Sequence, residues 1–505
     1  MLNAREDIDV VIIGSGMGGA SFAAGMAGSG ARIVILERGR QLSDSPDTRD
    51  ATAIFQRGVF RPSETWLDGR GQGFNPGNYY CVGGNTKFYG AVLIRYRAQD
   101  FAPVQYSGGA TPGWPFAYEE LEPWYSRAEA LYQVRGVLGQ DPSEPAHSSP
   151  YAFAAVPDEP AIALLRERLV KVGMRPFSLP LGVDIDRWLA RAKTPWDAFP
   201  DTRSGKMDAE TCGLAAALAH SNVTLETGAR VVRLETDAAG KRITAVVVEH
   251  NGQTLSLHPK LVVLAAGAVQ SAALLLASAN SALPNGLANR CDQVGRHFMN
   301  HNSSAALAVD PFRRNDAVYQ KTIGLNDFYL DDGCGGPPLG NVQLLGKISG
   351  AILKSQLRLA PEFALELLAR HSTDFYLMSE DLPNPDSRVR LDGRQIVLDW
   401  RVSNMTAQIG LVARMREVLR AAGFAMVLVK PFDRRTPSHQ CGTIRMGADP
   451  AHAAVDPDCR SFDHPNLFVV DASVLPTSAA VNPALTVAAL ALRAADHVRR
   501  TEFAA

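Results

Sequence analysis

The chain has 505 residues, with 51 Lys and Arg against 52 Asp and Glu and a net charge of −1. That length exceeds the size at which single cores usually divide, so two or more domains are expected. The charge balance, without any basic run, argues against a nucleic-acid partner. Six cysteines (81, 212, 291, 334, 441 and 459) lack C-x-x-C or zinc-like spacing and read as reduced thiols, with no metal site.

The N-terminal "MLNAREDIDVVIIGSG" has no basic n-region and no cleavage site, so a secretory signal is not expected and a cytoplasmic location is. Residues 8–39 read as a Val/Ile strand, a Gly-rich turn, an Ala-rich helix stopped at Gly30, and a second strand ending at Glu37, which together make a βαβ unit. The turn "GSGMGG" sets Gly14, Gly16 and Gly19 at G-x-G-x-x-G spacing. Backbone N–H groups at such a helix start receive a pyrophosphate that only glycines let approach, and an acid ending the next strand accepts from a ribose hydroxyl. This predicts dinucleotide binding. The motif does not separate NAD from FAD, although its place at the N-terminus leans to FAD.

Residues 40–82 are rich in Pro, Gly and Asp and read as loop. "YYCVGGNTKFYGAVLIR" (79–95) is a polar, Gly-rich loop able to wrap a planar ligand, followed by a β-rich "AVLIRYR". An amphipathic helix within 113–135 is entered through Tyr118 and Glu119, and 137–160 reads as a surface excursion. Residues 222–267 form a predicted β-meander with turns at Asp237–Gly240 and Asn251-Gly252, feeding a strand at Leu261–Ala265. The apolar run 261–279 is as long as a membrane span, but it divides at Gly267 into a strand and a helix, so no membrane partner is expected. Residues 303–434 mix strands, including a hairpin around Asp392-Gly393, with helices such as 405–422.

Near the C-terminus, "SHQCGTIRMGADP" carries His439, and a Val/Leu strand ends at Asp471. "TSAAVNPALTVAAL" then places Asn482-Pro483 where Asn would cap a helix and Pro would take its first position.

With these segments assembled, the sequence resembles the glucose–methanol–choline (GMC) family of FAD-dependent oxidoreductases over nearly its whole length. The carriers are "GSGMGG…E", "VGGNTKFYGA", "GAVQSAALLLAS", and His439 followed 43 residues later by Asn482 in "VNPALT". Within the family the wording is most similar to bacterial pyranose oxidase-like, C-glycoside and aminoglycoside oxidases. The implied fold is α/β. A Rossmann-like FAD-binding domain, with parallel sheet and β-meander, spans 1–100, 205–302 and 435–505. A substrate domain, with a mainly antiparallel sheet backed by helices, spans 101–204 and 303–434.

The resemblance also implies roles. His439 would take the proton of an alcohol whose carbon delivers hydride to the flavin, and Asn482 would hydrogen-bond the substrate oxygen. Gly14, Ser15, Gly16, Gly18 and Gly19 would meet the pyrophosphate of FAD. Glu37 would meet the adenosine ribose and Val231 the adenine, with Arg38 also among the cofactor-binding residues. Gly84, Asn85, Phe88, Tyr89 and Gly90 would line the flavin, with Gly267, Asp471 and Pro483 completing the site. Some relatives attach flavin covalently through a histidine at the position of Phe88, so non-covalent FAD is expected here. Ala272 stands where many relatives carry Pro.

Lys321, Asn326, Asn341 and Gln343 are polar candidates for holding a sugar or glycoside, with O₂ or a quinone-type acceptor reoxidising the flavin. The alternatives are the same chemistry on an aryl, sterol or aliphatic alcohol, a redox-neutral lyase, and a non-catalytic flavoprotein.

Overall fold

A computed structural model describes residues 7–189, 197–433, 435–436 and 439–503. Its first layer is a five-stranded parallel sheet in the order Val223–Thr227, Ile33–Glu37, Val10–Ile13, Leu261–Leu264, Leu467–Val469. These strands are almost continuous Val, Ile and Leu because a parallel sheet is covered on both faces. The first strand pairs Val10 with both Ile33 and Leu261. The expected helix after the Gly-rich turn runs Met17–Met26, and Gly28 and Gly30, both at positive φ, follow it. The meander is present as Ala229–Thr236, Ile243–His250 and Gln253–Leu257. The apolar run divides as read, into Leu261–Leu264 and a helix at Ala268–Ala277. Among the described residues no helix is long and apolar enough to cross a membrane.

The second layer is a six-stranded antiparallel sheet in the order Met426–Pro431, Asn302–Val309, Ser372–Ser379, Asn341–Leu344, Ile323–Leu325, Phe177–Ser178. Side chains alternate across it. Ala306, Ala308, Val342, Leu344, Phe375 and Leu377 join Leu411, Met415 and Leu419 of the helix Met405–Ala421 in a separate apolar core. Its other face carries Ser303, Asn341, Gln343 and Tyr376, whose registers oppose Ala305 to Tyr376 and Gln343 to Tyr376.

Three readings change. "AVLIRYR" is not a strand of any sheet. Val92 makes one isolated bridge to Leu181, and the segment runs buried through the core with its ladder not extended beyond that bridge. The region 40–82 is not all loop, because Trp66–Asp68 and Gly73–Phe74 join the hairpin Arg388–Asp392 and Gln395–Asp399 in a four-stranded sheet. The final helix is capped by Pro483 and runs Ala484–Glu502, so Asn482 lies outside it with its side chain free for other bonds.

Candidate active site

The Gly-rich turn packs without tolerance. A Cβ on Gly18 would sit 2.0 Å from the Val470 carbonyl oxygen, and one on Gly19 2.0 Å from that of Gly14. Gly14 has φ +104 and faces the Ala265 carbonyl. Gly16 differs, since nothing lies within 4 Å of where its Cβ would point. It begins the Met17–Met26 helix with no side-chain cap, so the first-turn N–H groups are open to an anionic ligand. Ser15 accepts from the Gly83 N–H at 3.1 Å, which brings the "VGGN" loop and Gly84 over this turn.

Glu37 is buried and accepts from the Ser15 hydroxyl at 2.6 Å and the Gly39 N–H at 2.8 Å. The Ser15 N–H also donates to the oxygen that takes the Ser15 hydroxyl, so Oε1, which accepts from Gly39 alone, keeps a lone pair for a ligand hydroxyl. Arg38 instead stacks on Tyr80. Val231 lies in the meander beside a register shift. Gly267 has φ +87 and open space at its Cβ, and its N–H donates to Asp471 at 2.9 Å. Asp471 also accepts from the Ser271 hydroxyl and the Ser473 N–H, and burial raises its pKa. A glycine cradle with room at Gly16 and Gly267, flanked by two buried acids, fits a dinucleotide.

In the "GGNTKFYG" loop, Asn85 accepts from the Tyr79 N–H, and Phe88 stacks on Tyr79 with centroids 3.6 Å apart. Tyr89 donates to the Met207 carbonyl at 2.6 Å. A Cβ on Gly90 would meet the Lys321 ammonium at 2.8 Å, so Lys321, paired with Asp197 at 2.5 Å, stands over that glycine.

His439 and Asn482, 43 residues apart, meet with the imidazole Nε2 3.3 Å from the amide Nδ2. Two independent pieces of local structure place them. Met299 and Cys441 form an isolated antiparallel bridge, so residues two steps beyond it, His301 and His439, come opposite one another. Their Nδ1 atoms are 2.8 Å apart. His439 has φ +67, a left-handed conformation that costs a non-glycine residue on the order of 1 kcal/mol. Burial pushes the His439 pKa well below the usual range, and the nearby Lys321 charge adds to the depression. His301 is lowered by burial to about 4. Both rings are therefore neutral at pH 7.

On the other side, Asn482 accepts from Gln343 Nε2 at 2.9 Å. Gln343 also donates to Asn341 at 3.0 Å, Asn341 to Asn326 at 2.7 Å, and Asn326 to Asp141 at 2.7 Å. Asn341 and Gln343 share a strand face, and the register Gly324 to Gln343, continued past Leu325, sets Asn326 opposite Asn341. The four polar candidates of the 303–434 segment thus separate into a buried row of three amides and one lysine. None of the four lines the large open cleft of about 1330 Å³, whose wall beside His301 includes Ser303, Trp400, Gln408 and Phe432. The 137–160 excursion supplies the end of the row, because Arg97 pairs with Asp141 at 2.6 Å and bonds Ser143.

His301 and Tyr376 escaped sequence reading. His301 stands immediately before an eight-residue strand, and only its register against the Cys441 segment gives it meaning. Tyr376 lies 6.4 Å from the His439 ring, in a strand whose composition marks it as core.

A glycine cradle on a parallel sheet, with an antiparallel sheet whose polar face meets Asn482 and His439, is the architecture of a flavoprotein, and comparison with known proteins agrees. A GMC oxidoreductase model matches residues 383–491, and an FAD dependent oxidoreductase model matches 9–287. The chain is 30% identical to a 6'''-hydroxyparomomycin C oxidase of Streptomyces lividus, over 96% of this chain and 90% of that one. It is 29% identical to a paromamine 6'-oxidase of Streptomyces fradiae, over 97% and 91%. The crystal structure of pyridoxine 4-oxidase from Mesorbium loti superposes with a TM-score of 0.68 at 18% identity, covering 98% of this chain and all of that one. The chain belongs to the GMC family of FAD-dependent oxidoreductases. It is an FAD enzyme that acts on CH–OH groups.

Proposed function

We propose that this enzyme oxidises a hydroxyl of a sugar or glycoside, with aminoglycosides the first class to test, to a ketone or aldehyde. The observation that carries the reading is the His439–Asn482 contact at 3.3 Å beside the polar sheet face. His439 takes the hydroxyl proton at Nε2, while Asn482 Nδ2 donates to the same oxygen and holds it against the base. General-base help of this kind contributes about 10²–10⁴-fold. FAD, once bound, supplies the acceptor for the hydride that leaves the carbinol carbon. Burial of both histidines keeps the base unprotonated at neutral pH, and the low-dielectric surroundings strengthen the amide's hold on developing negative charge.

A substrate rich in hydroxyls is supported by two features. The Gln343 Oε1 is buried and has no partner among the described residues, which leaves an acceptor for a substrate hydroxyl. The names of the two similar Streptomyces enzymes both specify amino sugars. We further propose non-covalent FAD, held by Gly14, Ser15, Gly16, Gly18, Gly19, Glu37, Gly84, Asn85, Gly267 and Asp471. Reoxidation is by O₂ or a quinone-type acceptor, and the location is cytoplasmic. The division into an FAD-binding and a substrate domain belongs to the same reading, with the four-stranded sheet tying 66–74 to 388–399 across it.

The test is anaerobic mixing of holoenzyme with free sugars, methyl glycosides, aminoglycosides and aryl alcohols. Bleaching of the oxidised flavin by the first three groups supports the reading, and bleaching by aryl alcohols alone defeats it.

A further inference from the structure

We infer that two converging hydrogen-bond relays, one through His301 and one through Asn326, Asn341 and Gln343, fix His439 in the tautomer with Nδ1 protonated and Nε2 bare. The inference rests on the reading of His439 as the base, and it adds positioning residues that act through it.

Each relay starts at a group whose polarity allows no choice. A carbonyl oxygen only accepts, so His301 Nε2, 2.9 Å from the Ser478 carbonyl, carries a proton. A neutral imidazole has one N–H, so His301 Nδ1 is bare and must accept across the 2.8 Å contact. His439 Nδ1 therefore donates, and its Nε2 keeps the lone pair.

The second relay starts at Asp141, a carboxylate paired with Arg97 and able only to accept. It takes the Asn326 N–H, so Asn326 turns its oxygen to Asn341, which turns its own to Gln343. Gln343 then spends both amide hydrogens, on Asn341 and Asn482, and its oxygen has no partner among the described residues. Asn482 must present Nδ2 to His439, and an N–H donor facing Nε2 requires Nε2 to be bare. The two chains start from opposite sides of the site and agree. In the four amides the choice of O and N is dictated by their neighbours, which removes the usual ambiguity of amide orientation.

The consequence is a base whose reactive lone pair is set before substrate arrives, and an amide whose donor already points at the oxygen site. The titratable groups around His439 are His301, Tyr376 and Lys321, the last charged and paired with Asp197.

The experiment is ¹⁵N NMR of holoenzyme labelled at its 11 histidines, with His439 assigned by its loss in His439→Ala. The expected spectrum shows His439 protonated at Nδ1 and His301 at Nε2, and His439 protonated at Nε2 would overturn the inference. Gln343→Glu provides the second reading. A carboxylate cannot donate, so Asn482 turns over, its oxygen faces Nε2, and His439 titrates at higher pH. Flavin reduction by the fastest alcohol of the screen falls about 10–100-fold. Gln343→Met slows the reaction without moving the titration. His301→Gln, which keeps a donor for Ser478 and an acceptor for His439, retains the tautomer, whereas His301→Leu loses it. A Gln343→Glu titration unchanged from wild type sinks the relay. Turnover retained in His439→Ala, with the tautomer as expected, sinks the base reading instead.

Discussion

His301 and His439 face each other Nδ1 to Nδ1 at 2.8 Å, although 138 residues separate them. Neutral imidazoles in that arrangement leave one nitrogen of His439 free to act as a base, and Asn482 stands beside it.

Burial of His439 moves the acid limb of kcat/KM well below pH 6.5, since the ring stays neutral to lower pH than an exposed histidine. The Lys321 charge contributes to that depression. Lys321→Met should therefore shift the acid limb to higher pH, as measured in pH profiles from pH 5 to pH 9. An unshifted limb would show that the lysine does not act on the base.

The glycines of the dinucleotide turn separate into packing and ligand roles. Gly18→Ala drives a methyl into the Val470 carbonyl and should destabilise the fold by about 1–3 kcal/mol. Gly16→Ala meets no protein atom, so apoprotein stability should stay within about 0.5 kcal/mol while FAD affinity falls. Thermal melts of apoprotein and flavin titrations separate the two effects.

Much of this half of the molecule was legible in the sequence. Glycine spacing, Val/Ile strands and Glu37 report local backbone requirements that a linear pattern can carry. The partnership of His439 with Asn482 needed the family resemblance, because each alone reads as an ordinary histidine or a helix start. His301 was not legible, since its role depends on one isolated bridge between Met299 and Cys441. Asn326, Asn341 and Gln343 were visible as polar positions on alternating strands. Their bonding to one another depends on strand register, which no residue type announces.

Glu380 gives the fold a pH dependence of its own. Burial, aided by Asp100 and Asp381, raises its pKa from 4.5 to about 8, and it accepts from the Ala479 N–H and the Tyr106 hydroxyl. Its protonated form is favoured in the folded state, so the native protein holds more protons than the unfolded chain between those values. Stability from this group is full below pH 4.5 and is lost as pH rises through about 8. Glu380→Gln keeps an acceptor and a donor, and it should flatten the decline in Tm between pH 6 and pH 9. A decline identical to wild type would place its cause elsewhere.

Flavin attachment is checked by acid precipitation. Phe88 stacks on Tyr79 and offers no nucleophile, so the yellow chromophore should remain in the supernatant. Colour retained in the pellet would show a covalent bond formed by another residue.

The most direct measurement is the anaerobic rate of flavin reduction by paromamine or a methyl glycoside, in wild-type holoenzyme and in His439→Ala, at pH 7.5. The expected result is bleaching in the wild type and a rate about 10²–10⁴-fold lower in the variant, with FAD content and Tm unchanged. A wild-type flavin that stays oxidised with every sugar, or a variant that bleaches as fast as wild type, would contradict it.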